Sequence, residues 1–135
     1  MIIDKVHKTL RVIQENGGWL NSLLKLYRYD TLKSGRLVGT DDYGNRYYEN
    51  KEYFMGRDRW VEYADKVRLD YDGSQIPAEW YGWMHHKTDI PPTLRPPPKY
   101  KWLAQHTENM TGTSRQYVPY DTVPPKIQPW IPGKK

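Results

Sequence analysis

The stretch Arg36-Leu37-Val38-Gly39-Thr40-Asp41-Asp42-Tyr43-Gly44-Asn45-Arg46-Tyr47-Tyr48-Glu49 decides the fold class. Leu37, Val38 and Thr40 suit an extended strand, and Tyr47 and Tyr48 suit its return, because β-branched and aromatic side chains pack well on a pleated surface. Between them Asp41 to Asn45 is a turn, with Gly44 and Asn45 both able to take positive φ. Arg59-Trp60-Val61-Glu62-Tyr63 alternates Trp60 and Glu62 against Arg59, Val61 and Tyr63, and reads as a further strand. The result is a small antiparallel meander of about three strands, which is marginal unless something covers a face.

On the N-terminal side, residues 2–15 read as an amphipathic helix. Ile2, Ile3, Val6, Leu10 and Ile13 recur at three- and four-residue steps, with Lys5, Lys8 and Arg11 on other faces. Asn16-Gly17-Gly18 is a stop signal. Trp19 to Tyr27 resumes as a second helix, with Leu20, Leu23, Leu24 and Tyr27 on one side. On the C-terminal side, Tyr71-Asp72-Gly73-Ser74 is a second turn. Pro77 to His86 reads as a short helix, with Pro at its first position and an early Glu79. All 11 Pro lie from Pro77 onward. Pro91-Pro92, Pro96-Pro97-Pro98, Pro124-Pro125, Pro129 and Pro132 predict an extended, polyproline-like tail, because Pro lacks the N–H and fixes φ. The fold class is therefore α+β: an N-terminal amphipathic helix, a small antiparallel β-sheet, a short helix and a long Pro-rich tail. The chain divides into a helix-plus-sheet domain over residues 1–86 and an extended partner-wrapping tail over 87–135.

Composition narrows the function. With 135 residues and no Cys, the chain is one small domain without disulfides, thiolate-bound zinc, iron–sulfur ligation or a Cys nucleophile. No apolar run approaches the roughly 20 residues that cross a bilayer. No stretch near Met1 has the make-up of a secretory signal, and a secreted chain is not expected. Ile, Leu, Val and Phe number only 25, against 6 Trp and 12 Tyr. Such a chain is short of its own core and rich in groups that favour interfaces. The net charge of +5 is segregated: residues 1–36 carry net +4, residues 37–72 net −3, and residues 73–135 net +4. Basic ends around an acidic middle predict docking on acidic or polar surfaces of protein neighbours.

Catalytic chemistry finds little support. His85, His86, His106 and Asp89 are the candidate metal ligands, but adjacent His side chains diverge on a helix, whereas paired ligands sit at i, i+4. Ser22, Ser34, Ser74 and Ser114 stand in no nucleophile-elbow pattern, and no phosphate-binding glycine loop is present. Neither a metal nor another cofactor is expected. Asn109-Met110-Thr111 matches a glycosylation sequon to which no role is assigned. The basic N-terminal helix suits an anionic membrane surface, a targeting element, or packing on its own sheet. Single-stranded nucleic-acid binding through basic and aromatic residues is the alternative function, with Arg57, Arg59 and Trp60 as its track. The acidic middle opposes it. Partner contacts are assigned instead to Trp80, Tyr81, Trp83 and Met84 of the short helix, as the energetic centre. Tyr100, Trp102, Tyr117, Tyr120 and Trp130 of the tail are the strap, since Tyr and Trp combine large area with few rotatable bonds. An isolated chain of this make-up is expected to be marginally folded.

Several blocks carry a resemblance. Leu37-Val38-Gly39, Asp41, Tyr43-Gly44-Asn45 and Tyr47-Tyr48-Glu49 resemble the signature of the NADH dehydrogenase 1 alpha subcomplex subunit 12 family, accessory subunits of mitochondrial respiratory complex I. Gly56-Arg57 and Arg59-Trp60-Val61 continue it. Asp72-Gly73-Ser74, Ile76-Pro77, Glu79-Trp80, Trp83, His85, Thr88-Asp89 and Pro91-Pro92 are similar to its second block. Thr111-Gly112-Thr113, Tyr117, Pro119-Tyr120 and Trp130-Ile131-Pro132 are similar to its C-terminal block. The match runs from about Gly17 to Pro132. A related assembly-factor family shares the first block and less of the rest. The resemblance implies a non-catalytic subunit without cofactor, peripheral to the mitochondrial inner membrane on the matrix side. It also implies contacts with core iron–sulfur subunits and neighbouring accessory subunits, with no nucleic-acid partner and no homo-oligomer.

Overall fold

Aromatic side chains carry the folding load that this chain's few aliphatic residues leave open. The computed structural model describes residues 2–120 together with Val123, Ile127 and Trp130. Helix α1 spans Ile2–Glu15 and helix α2 Gly18–Tyr29, and the two pack on each other. Gly17 and Gly18 both take left-handed backbone, at φ 85° and 88°, so the expected stop signal works as the link between the helices. Strands β1 (Arg36–Thr40), β2 (Arg46–Glu49) and β3 (Arg59–Glu62) form one antiparallel sheet in sequence order. Tyr48 pairs with Leu37 on one side and Trp60 on the other, while Tyr47 pairs with Gly39 and Val61. A bulge between Leu37 and Gly39 lets the register slip there.

The β1–β2 turn is built by one carboxylate. Asp41 Oδ1 accepts the backbone N–H groups of Tyr43 and Asn45, both at 2.9 Å. Its Oδ2 accepts the Asn45 amide and the Tyr47 hydroxyl, both at 2.8 Å. Only Gly44 takes positive φ, at 92°. Asn45 has a different task from the one expected: it is buried, donates to the Gln75 carbonyl and accepts from the Ala64 N–H. A buried amide with all its partners ties the turn to the segments after β3.

Helix α3 covers Ala78–Met84, starting one residue later and ending two residues earlier than expected, with Pro77 as its N-cap. The i, i+3 spacing of Trp80 and Trp83 puts both rings on one side. That side faces the sheet. Trp80 stacks on Tyr47 with 3.7 Å between centroids and 3° between planes, and Trp83 meets Tyr47 edge-on. Val38, Val61, Ile76 and Met84 close the cluster. Trp80 and Trp83 are 2% and 1% exposed, so the two residues expected at the centre of a partner interface form the protein's own core. The reason is geometric: Tyr47 needs a roof, and Gly39 provides room for one. A Cβ on Gly39 would lie 3.0 Å from the Trp80 ring and 2.5 Å from Thr93 Cγ2.

On the opposite sheet face, Tyr48 stacks on Trp60 and Tyr53 meets Trp60 edge-on. The Lys33 ammonium sits 4.9 Å above Trp60, and burial followed by repulsion from Arg57 lowers its pKa. Two short 3-10 turns, Asp65–Val67 and Gly73–Gln75, link β3 to α3. After Lys87 the described residues contain neither helix nor strand, as the prolines predict. Pro124-Pro125, Pro129 and Ile131-Pro132 lie outside the described residues.

Candidate functional site: an interaction surface

His85, His86 and His106, and Ser22, Ser34 and Ser74, are engaged in separate structural contacts. His85 packs its ring on Tyr81, 4.3 Å between centroids. His86 Nε2 lies 3.0 Å from Asp58 Oδ1, an ion-pair distance without hydrogen-bond alignment. His106 Nε2 lies 2.8 Å from the Ser74 carbonyl. Ser22 donates to the Ile13 carbonyl, Ser34 to Glu15, and Ser74 to Asp72. Among the described residues no three His, Asp or Glu side chains converge as a metal site would require.

Arg59 is a tie rather than part of a nucleic-acid track. Its guanidinium donates to the Trp83 carbonyl at 2.7 Å, the Thr88 carbonyl at 3.0 Å, Asp89 Oδ1 at 2.6 Å and Glu49 Oε1 at 3.3 Å. It also lies over the Trp83 ring. One buried cation therefore joins β2, β3, the end of α3 and the start of the tail. Trp60, expected to stack a base, is half-buried under Tyr48 and Lys33. Arg57 is exposed but stands alone of the three.

The first part of the tail is held by its own domain. Pro91 is buried, and Thr93 sits against Gly39. Further on, the Tyr43 hydroxyl donates to the His106 carbonyl at 2.8 Å, and the Asn109 N–H donates to Ser74 Oγ. These staples escaped sequence reasoning because they join residues with no common pattern. Past Met110 every described residue is exposed. The anchors expected in the tail are on the surface: Tyr100 and Trp102, stacked at 5.1 Å, then Tyr117, Tyr120 and Trp130. On α3, Tyr81 is half-exposed, and Met84 is partly buried against the core. The described surface thus keeps Tyr81 and the five tail aromatics available for contact.

A second surface lies on the helices. Of the expected α1 stripe, Ile3, Val6 and Leu10 are exposed while Ile13 is buried, and Leu20, Leu23 and Leu24 of α2 are exposed. The helices meet the rest of the protein mainly through ion pairs, with the Tyr29 ring against Tyr71. Lys25 pairs with Glu62 at 2.7 Å, Arg28 with Asp65 at 2.8 Å, and Lys8 with Glu52 at 3.6 Å. Packing of the apolar stripe on the chain's own sheet, one of the readings open at the sequence level, is therefore not what forms. The signal was present in the acidic surplus of residues 37–72, which offers partners to the basic sides of both helices.

A domain that roofs its sheet with two Trp, leaves two helical apolar sides outward and extends an aromatic arm defines a class: a docking chain completed by association. Comparison with known proteins specifies which. The family model described as NADH ubiquinone oxidoreductase subunit NDUFA12 matches residues 35–132, which takes in the sheet, α3 and the arm. The chain is 49% identical over 134 residues to the probable NADH dehydrogenase (ubiquinone) 1 alpha subcomplex subunit 12 of Caenorhabditis elegans, covering 98% of this chain and 92% of that one. Against the Bos taurus subunit 12 the figures are 41% over 137 residues, 97% and 94%. Against the NADH dehydrogenase (ubiquinone) 1 alpha subcomplex assembly factor 2 of Homo sapiens they fall to 29% over 133 residues, 86% and 77%. The chain belongs to the NDUFA12 family of NADH ubiquinone oxidoreductase subunits. Members of this family are accessory subunits of complex I and are not catalytic by themselves.

Proposed function

We propose that this protein is a non-catalytic accessory subunit that supports assembly and stability of the matrix arm of mitochondrial NADH:ubiquinone oxidoreductase. It lies peripheral to the inner membrane on the matrix side. The observation that carries this reading is the likeness, over nearly the whole chain, to proteins named as subunit 12 of that enzyme in nematode and cattle. No helix among the described residues is long and apolar enough to cross a membrane, which agrees with peripheral attachment. The core iron–sulfur subunits and neighbouring accessory subunits are its proposed partners. Tyr81, Tyr100, Trp102, Tyr117, Tyr120 and Trp130 are the proposed contact residues, because they are exposed. Trp80, Trp83 and the partly buried Met84 act from within, by holding the domain's shape. Polyproline stiffness lowers the ordering entropy that an arm loses on docking. The test is depletion of the chain in cells, followed by native gels stained for NADH oxidation. Assembled complex falls and is restored by the wild-type chain, but poorly by a Trp102→Ala/Tyr117→Ala/Tyr120→Ala variant. Full assembly without the chain, and failure of the chain to comigrate with the complex, would overturn the reading.

A further inference from the structure

Both N-terminal helices are mounted with the apolar side away from the domain they belong to. On α1, Lys8 reaches Glu52, Arg11 pairs with Glu15, and Glu15 accepts the Ser34 hydroxyl. On α2, Lys25 and Arg28 hold Glu62 and Asp65, and the Tyr29 ring lies against Tyr71. At 100° per residue, the groups named on each helix share one side of it. The opposite side of α1 carries Ile3, Val6 and Leu10, exposed, and ends in Ile13, which is buried with its carbonyl bonded by Ser22 of α2; that of α2 carries Leu20, Leu23 and Leu24, all exposed. Trp19 and Tyr27 stand among the leucines and are also exposed. In a self-sufficient domain the same helices would be turned over.

The chemistry of this outward surface selects its occupant. Of the five Lys or Arg in residues 2–29, Lys8, Arg11, Lys25 and Arg28 are held on the inward side by ion pairs, and Asp4 and Glu15 lie on that side too, so the outward surface carries no carboxylate from these helices. Lys5 and His7 flank the α1 stripe. The apolar arc of α2, from Leu26 round to Leu24, covers about 160° at 100° per residue, wider than the ridge of side chains that a helix inserts into a protein groove. Leu with Trp and Tyr, edged by Lys5 and His7 and free of acids, is the composition of helices that lie at the headgroup–acyl boundary. Helices of 14 and 12 residues are about 21 and 18 Å long, too short to span the core but suited to lying in its plane.

We infer that the α1–α2 pair is an interfacial anchor that lays its outward apolar side into an anionic phospholipid surface. The inference deepens the proposed function and rests on it only for which membrane is met. The ion pairs to Glu52, Glu62 and Asp65 then set the orientation of the sheet and arm above the lipid.

The full-length chain is mixed with phosphatidylcholine vesicles, with and without about one part in five of cardiolipin, and bound protein is measured by sedimentation. Binding to the anionic vesicles is expected to be about tenfold stronger, and Leu20→Glu/Leu24→Glu reduces it about tenfold or more. Both side chains are exposed, so near-UV circular dichroism of the Trp80–Trp83 core stays unchanged; the milder Leu20→Gln/Leu24→Gln gives the same direction. Absence of vesicle binding, equal binding by the variants, or a dimer that the same substitutions dissociate would overturn the anchor. A chain that ignores vesicles but comigrates with complex I leaves the proposed function standing and removes the lipid contact. A chain that binds vesicles through this face but never comigrates supports the anchor and removes the proposed function.

Discussion

Replacing Arg59 with Met tests whether one buried cation fastens the tail to the domain. Met keeps most of the side-chain length and removes every donor. The carbonyls of Trp83 and Thr88 lose their guanidinium partner, and Glu49, 12% exposed at its side chain, loses its ion pair. Asp89 matters little, because its side chain is 90% exposed and water replaces the lost contact. Removing one partner of a buried ionic network costs about 3–5 kcal/mol, and the lower end applies here because Glu49 keeps Arg36 at 3.2 Å. A loss of about 3 kcal/mol is a large share of the roughly 5–13 kcal/mol that an ordered domain of this size can hold. It lowers Tm by about 12–24 °C. Urea unfolding followed by near-UV circular dichroism reads the loss directly, and limited trypsin digestion reads the tail, with earlier cleavage after Lys87. Asp89→Asn is the control and should cost no more than about 1 kcal/mol. If Arg59→Met unfolds within about 0.5 kcal/mol of wild type, or if Asp89→Asn costs as much, the tie assigned to Arg59 is wrong.

Three further outcomes follow from the same packing. Trp83→Ala and Trp80→Ala each destabilise the free chain by about 3–5 kcal/mol in urea titrations, where a purely partner-facing role would leave the free chain unchanged. Gly39→Ala costs about 1–3 kcal/mol by overpacking, and Thr93→Ser in the same chain recovers part of it in thermal melts, since the nearest atom to the new methyl is Thr93 Cγ2. Burial raises the Asp58 carboxyl, but the Gly56 and Asp58 N–H groups and His86 outweigh it and hold its pKa below the ordinary 3.8. Its stabilising share is therefore present above that value and lost as pH falls through the depressed one. Asp58→Asn should show a flatter fall in stability between about pH 5 and pH 2.

What the sequence reveals divides along contact range. The strand–turn–strand over residues 36–49, the two helices with their glycine link and a Pro-rich arm with neither helix nor strand among its described residues are all local patterns, and all three are found. The direction in which a pattern faces is not local. Spacing placed Trp80 and Trp83 on one side of α3, but whether that side meets a partner or Tyr47 depends on Gly39, forty residues earlier and without a side chain of its own. Asn45 looked like turn punctuation because its neighbour Gly44 is; its burial is decided by Ala64 and Gln75, which arrive from later segments. Arg57, Arg59 and Trp60 suggest a nucleic-acid track because they are close in sequence, but strand alternation sends Arg59 and Trp60 to opposite faces, and sequence alone does not say that α3 covers the Arg59 face.

The helices carry that argument furthest. Amphipathic periodicity is read by habit as an inward apolar side, because in most domains the core is the nearest apolar environment. Here the sheet's two faces are already closed, one by Trp80 and Trp83 and the other by Trp60, Tyr53 and Lys33. What remains near the helices is acidic: Glu52, Glu62 and Asp65. The basic sides of α1 and α2 therefore find partners on the domain, and the apolar sides are left for whatever the protein is mounted on. A chain short of aliphatic residues can thus still expose many of them, because its core is aromatic and its helices are attached by charge.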